Sequence, residues 1–221
     1  MPIRPAQQSD LLPASKVCAA AFFDESLFGD IIHPFRHQYP EDCHLYWLKR
    51  FNAEFGQVDN HFFVATTPGI NGSDETVVGL AHWVRKRAKQ VDADALLEDK
   101  KDQKAQELPP NRAIDPKNEN ILERAYPFFS HQWSGPRAES WYLGCLAVDP
   151  QCHGQGIGRQ MVAWGFQQAE QEGVCVSVIS AHGKDTFYKR CGFTTITGSA
   201  NDGEGNPMEG VEGGLILFKD V

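Results

Sequence analysis

Residues 148–162, VDPQCHGQGIGRQMV, constrain this chain more than any other stretch. Three glycines at alternate positions, Gly154, Gly156 and Gly158, separate the apolar run SWYLGCLAV from IGRQMVAWGFQQAEQE. The first run reads as a buried strand, the second as a helix stopped at Gly173. Glycines bunched at a helix start let backbone N–H groups approach an anion closely, at the positive end of the helix dipole. Two phosphate loops can be tested on spacing alone. A dinucleotide fingerprint needs a third glycine where Arg159 stands, and a Walker loop needs Gly-Lys where Arg159 and Gln160 follow Gly154. Both fail. What remains is a strand, an Asp149–Pro150 turn, alternating glycines and a helix, with amides near residues 154–159 able to converge on a pyrophosphate.

The rest of the chain reads as strands and helices in alternation. IRPA is a short strand, and QSDLLPASKVCAAAFF is an Ala-rich helix with Leu12, Val17, Ala20 and Phe23 as its apolar positions. PEDCHLYWLKRFNAEF is a second helix, opened by Pro40, with Leu45, Leu48, Phe51 and Phe55 on one side. Between them, DESLFGDIIHPFRHQY is a loop or a broken helix. HFFVATT and TVVGLAHWVRK form a hairpin across the turn-rich PGINGSDE. Residues from about 86 to 137 form a charged insertion, read as an exposed helix broken at Pro109–Pro110 and then a helix in NENILERAYPFF. Beyond the glycine helix come the strand VCVSVIS, a short helix in KDTFYKR ended at Gly192, and the strands FTTITGS and GGLILFKDV. A flexible turn region, ANDGEGNPMEGVEGG, joins the last two. The order β-α-α-β-β-α-β-α-β-α-β-β predicts an α/β fold, a mixed sheet covered by helices, as one domain over residues 1–221.

Charge bears on the choice of partner. Twenty-one basic against 29 acidic residues give a net charge of −8, which disfavours nucleic acid and suits a cationic or amine-bearing substrate better. The first residues lack a basic region followed by a long apolar run, and no segment reaches membrane-spanning length. A cytoplasmic protein with no membrane partner is therefore expected. Cys18, Cys43, Cys145, Cys152, Cys175 and Cys191 are scattered, without zinc spacing or a disulfide framework, as in a reducing compartment; no metal is expected.

LAVDPQCHGQGIGRQMV, followed some thirty residues later by FYKRCGF, resembles the signature of the GNAT superfamily of N-acetyltransferases. The resemblance is most specific over residues 141–193. The family pattern, Gln/Arg-x-x-Gly-x-Gly/Ala, falls on His153, Gly156 and Gly158, with His153 as a departure. A second register, on Gln151, Gly154 and Gly156, sits further from the helix. The resemblance implies a mixed, mostly antiparallel central sheet flanked by helices and splayed between the strands before and after the glycine-loop helix. It implies acetyl-CoA as co-substrate, and direct acetyl transfer to a primary amine, of a small molecule, in a ternary complex. Peptide or protein N-acetylation, a non-catalytic acyl-CoA sensor, and a protein-interaction domain are the alternatives. The protein would be a monomer or a homodimer.

The resemblance also assigns residues. Leu146, Ala147 and Val148 would offer backbone groups to the pantetheine arm as if it were an added strand, with a main-chain N–H near Leu146 polarising the acetyl carbonyl. His153, Gly154, Gln155, Gly156, Ile157, Gly158 and Arg159 would hold the pyrophosphate, and Ser180 would present a polar group to the cofactor. Tyr188 is the family's usual acid. A phenol near pKa 10 facing a thiol near 8.5 makes full proton donation uphill by roughly 2 kcal/mol, so Tyr188 is better read as a hydrogen-bond donor to the leaving thiolate. His82 and Glu139 are the candidate bases. Asp24, Glu25 and Phe28 are candidates for the acceptor site, with His33, Phe35, His37, Tyr39 and Trp47 as its aromatic surround.

Overall fold

The computed structural model describes residues 1–68, 75–88 and 108–221. The seven strands are β1 (Ile3–Pro5), β2 (Asn60–Pro68), β3 (Glu75–Lys86), β4 (Ser140–Val148), β5 (Cys175–Ala181), β6 (Thr195–Ser199) and β7 (Gly213–Lys219). The helices are α1 (Leu11–Ala21), α2 (Cys43–Glu54), α3 (Ile121–Phe129), α4 (Ile157–Glu172) and α5 (Asp185–Cys191). Element order follows the sequence reading. The hairpin turn and the charged helix before Pro109 fall largely or wholly outside the described residues.

The strands form one sheet in the order β1-β2-β3-β4-β5-β7-β6. Every neighbour pair is antiparallel except β4 and β5, which run parallel. That pairing covers only Ser140–Leu143 against Cys175–Val178. Beyond it the strands part, which is the expected splay.

Two apolar layers clasp the sheet. On one face Leu11, Val17, Tyr46, Trp47, Phe51, Ile121 and Phe129 pack with the β-strand residues Val64, Leu80 and Ala147. On the other, α4 contributes Ile157, Met161 and Val162 against Ala81, Trp83, Leu143 and Val178. Alternation along the strands sends neighbouring residues to opposite layers.

Two local readings are corrected and a third is made specific. In α1 the buried stripe is Leu11, Ala14, Val17 and Cys18, while Leu12 and Ala20 face solvent; the 3.6-residue period is right and its phase is not. The broken helix is a wide π-helical turn over Ser26–Ile32, capped by the Glu25 carboxylate. Residues 200–212 are tied down, since Asn206, only 4% exposed, donates to the carbonyls of Ala200 and Asp202 and accepts from Met208 N–H. The second half of the charged insertion is likewise structural. Ala113, Ile114, Ile121, Ala125 and Phe129 are buried there.

Candidate active site

At Gly144 the β3–β4 register slips, because His82 pairs with Cys145 and Trp83 with Leu143. A glycine at such a bulge leaves the backbone bare, and Gly144 is exposed on the wall of a cavity of about 330 Å³. This cavity starts where β4 and β5 part and extends between β3, α2, α3 and the 200–214 segment. Leu146, Ser180 and Tyr188 line it at the splay.

The glycine loop follows β4 directly. Asp149 accepts from Gln151 N–H at 2.9 Å, and its own N–H reaches Val78 O at 2.8 Å, so the turn is anchored before the glycines begin. Gly154 and Gly156 take φ of 79° and 77°, left-handed values that suit glycine. A Cβ on either would meet nothing within 4 Å. The first intrahelical bond of α4 runs from Gln160 N–H to Gly156 O at 3.1 Å, which leaves the amides of Ile157, Gly158 and Arg159 free of helical partners. An open, bare cradle of amides at a helix N-terminus fits a pyrophosphate. His153 turns its Nε2 to Val148 O at 3.0 Å and braces the loop from within. Ile157 points into the core under α4. Gln155 and Arg159 remain exposed at the cradle.

Tyr188 sits on α5 with its ring against Phe187 and Phe193. Burial pushes its hydroxyl above the ordinary tyrosine range, and it makes no hydrogen bond among the described residues. It shares the cavity wall at the splay with Leu146 and Cys145. Ser180 is otherwise engaged. Its hydroxyl donates to Asp185 Oδ1 at 2.6 Å and so ties β5 to the start of α5.

The candidate bases separate. Glu139 precedes β4 and lies about 30 Å, at roughly 3.3 Å per residue, from the glycine-loop end of that strand. It bonds Arg85 and Ala88 N–H, which hold its carboxyl below the usual range, and it does not line the cavity. His82 does line the cavity, but stacked on Phe62 at 4.1 Å between ring centroids. Its Nε2 meets Asn60 Oδ1 at 2.7 Å and its Nδ1 lies 3.4 Å from Glu54. Burial, then Arg50, push its pKa down to about 3, so at neutral pH it is an uncharged imidazole of low basicity. Glu54 beside it is shifted the other way, raised by burial.

On the acceptor side, Glu25 and Phe28 line the cavity while Asp24 is exposed and does not. Glu25 Oε2 accepts from the N–H groups of Leu27 (3.0 Å) and Phe28 (2.8 Å), and burial raises its pKa. Of the aromatic surround only Trp47 reaches the cavity, its ring centre 4.6 Å from that of Phe28. His33 is buried against Phe28 O, Phe35 is exposed, and Tyr39 lies under Arg112. The sequence reading missed Arg50, Glu54, Lys86, Tyr126, Trp133 and Tyr142, all of which line the cavity. The one available signal was the i, i+4 spacing of Arg50 and Glu54 on α2.

The fold and its loop have counterparts. The model of an Acetyltransferase (GNAT) domain matches residues 124–195, which hold β4, the glycine loop, α4, β5 and α5. A Corynebacterium glutamicum structure described as histone acetyltransferase HPA2 and related acetyltransferase superposes with a TM-score of 0.61 at 17% identity, covering 99% of this chain and 94% of its own. A mosquito arylalkylamine N-acetyltransferase like 5b gives 0.54 at 13%, covering 100% and 99%. A GCN5-related N-acetyltransferase from Kribbella flavida gives 0.52 at 14%, covering 100% and 97%.

Proposed function

We propose that this chain, whose residues 124–195 match an acetyltransferase (GNAT) domain, moves an acetyl group from acetyl-CoA to a primary amine of a small molecule by direct transfer, with residues 1–221 acting as one domain. The observation that carries this reading is one cavity joining the β4–β5 splay, with Tyr188 and Leu146 on its wall, to a chamber built of Phe28, Trp47, Phe51, Tyr126 and Tyr142. Its volume, about 330 Å³, is that of a small-ligand site; a peptide would need an open groove.

Acetyl-CoA would supply an acyl thioester already activated for attack. The amides of residues 156–159 would hold its pyrophosphate, and the unpaired edge of β4 from Gly144 to Val148 its pantetheine arm. Glu25 draws the acceptor ammonium into the aromatic chamber. The ammonium must lose a proton before it attacks, and the cavity carboxylates Glu25 and Glu54, both raised by burial, are stronger bases than free carboxylates. As nitrogen bonds to the acetyl carbon the carbon–sulfur bond breaks, and the Tyr188 hydroxyl donates to the departing sulfur. Cys145 lies 3.9 Å from Cys18 Sγ in a buried pair, and its cross-strand neighbour His82 is held by Asn60 with its basicity lowered by burial, which favours direct transfer over an acetyl-cysteine route.

Two measurements test the reading. Calorimetric titration with acetyl-CoA is expected to show binding by the wild type and none by Gly156→Asp, which places a negative side chain on a left-handed residue in the cradle. With a panel of arylalkyl and alkyl amines, Tyr188→Phe is expected to lower kcat roughly a hundredfold, the usual cost of losing a donor to developing charge, with acetyl-CoA affinity little changed. Binding without turnover of any amine would make the chain an acyl-CoA sensor instead.

A further inference from the structure

The cavity floor runs well past the transfer end. His82, Val84 and Lys86 alternate on one face of β3 and all line it, so the floor extends about 13 Å from His82 to Lys86 at roughly 3.3 Å per residue. At the far end the Lys86 ammonium lies 4.9 Å from the ring centre of Trp133 and 5.3 Å from those of Tyr126 and Tyr142. It also lies 3.4 Å from the Tyr126 hydroxyl. The cage is itself braced, since the Trp133 indole N–H donates to Ser177 Oγ at 2.9 Å.

Cation–π attraction fixes where this charge sits without neutralising it. Among the described residues Lys86 makes no ion pair. Arg50, the other cation of the lining, lies 3.7 Å from Glu54 and 3.4 Å from Glu123. A lysine ordinarily carries its head out to water. Here it is half-buried on the cavity wall and, among the described residues, short of a counter-charge.

We propose that Lys86 is a specificity-determining residue that receives a carboxylate at the distal end of an elongated amine, whose nitrogen lies near Tyr188 and Cys145. The inference rests on the amine-acetylation reading and names the distal chemistry of the acceptor. The three rings form a slot around the chain next to that carboxylate, and the ammonium closes the slot with one charge-assisted hydrogen bond.

The test compares ω-amino acids with alkylamines of equal chain length, in the wild type, Lys86→Met and Lys86→Arg. The readout is the ratio of kcat/KM for the two acceptors, which is independent of the folded fraction of each preparation. The wild type is expected to prefer the ω-amino acid at the chain length that spans the cavity. Lys86→Met is expected to lower the ratio roughly ten- to a hundredfold, the usual range for a charged hydrogen bond, and Lys86→Arg to retain most of it. Equal use of both series by the wild type, or an unchanged ratio in Lys86→Met, would overturn the role of Lys86 and leave amine acetylation standing. Acetylation of neither series would overturn both.

Discussion

Gly165 shows how one position can reverse a general rule. It lies within α4, where glycine ordinarily costs about 1 kcal/mol against alanine. A Cβ there would lie 2.4 Å from Trp83, which is fully buried and already bonds Met161 O through its indole N–H. Overpacking a core in this way costs typically 1–3 kcal/mol, which outweighs the helical gain. Gly165→Ala is expected to lower stability by up to about 2 kcal/mol, read as a shift in the urea midpoint. At this scale the sequence singled out the loop glycines and Tyr188, because strand, spacing and helix surround them. It could not disclose that His82 is neutral and stacked, or that Glu139 is paired at the wrong end of β4. Those roles depend on Phe62, Asn60 and Arg85, which reach them across strands. Glu54 and Lys86 were hidden for the same reason. On a helix or at a strand end, a charged residue has the same letter whether it faces water or a cavity.

Among the elements, strands and helices were legible wherever apolar runs ended at glycine or proline, as α4 does at Gly173 and α5 at Gly192. The phase of α1 was not, because Ala, Cys and Ser carry too little contrast to mark a face. The segment between β6 and β7 misled through composition. Its Asn, Gly and Asp residues read as a loose turn, yet Asn206 makes three main-chain hydrogen bonds from a buried site. Asn206→Ala leaves those backbone groups without partners and is expected to cost roughly 2 kcal/mol or more. The loss should show as faster proteolysis of residues 200–212 and a lower melting temperature. Met208, Val211 and Glu212 line the cavity from this segment, so the KM for the acceptor is expected to rise as well.

For the whole molecule, the buried imidazoles shape the response to acid. Folding keeps His82 uncharged to about pH 3, whereas an unfolded histidine takes a proton near 6.5. Between those values the unfolded state binds more protons, so stability rises with pH across the window and falls on acidification, by up to about 1.4 kcal/mol per unit. Burial lowers His33 and His61 in the same sense, while Glu25 and Glu54, raised, act in the opposite one. His82→Gln is expected to flatten the dependence, losing less stability than the wild type between pH 6.5 and 4.5 when both are unfolded in urea. The parting of β4 and β5 acts at this scale too. Most sheets leave unpaired strand edges at their rims, where any passing strand can add to them. Beyond Leu143 and Val178 this sheet has a further pair of such edges in its interior, with α4 packed on β4 from one side and α1 from the other. These edges open onto the cavity wall, so they are reached through the cleft and not along the rim. The molecule thus keeps unspent hydrogen-bonding capacity at its centre without the aggregation risk that the same groups would carry at its rim.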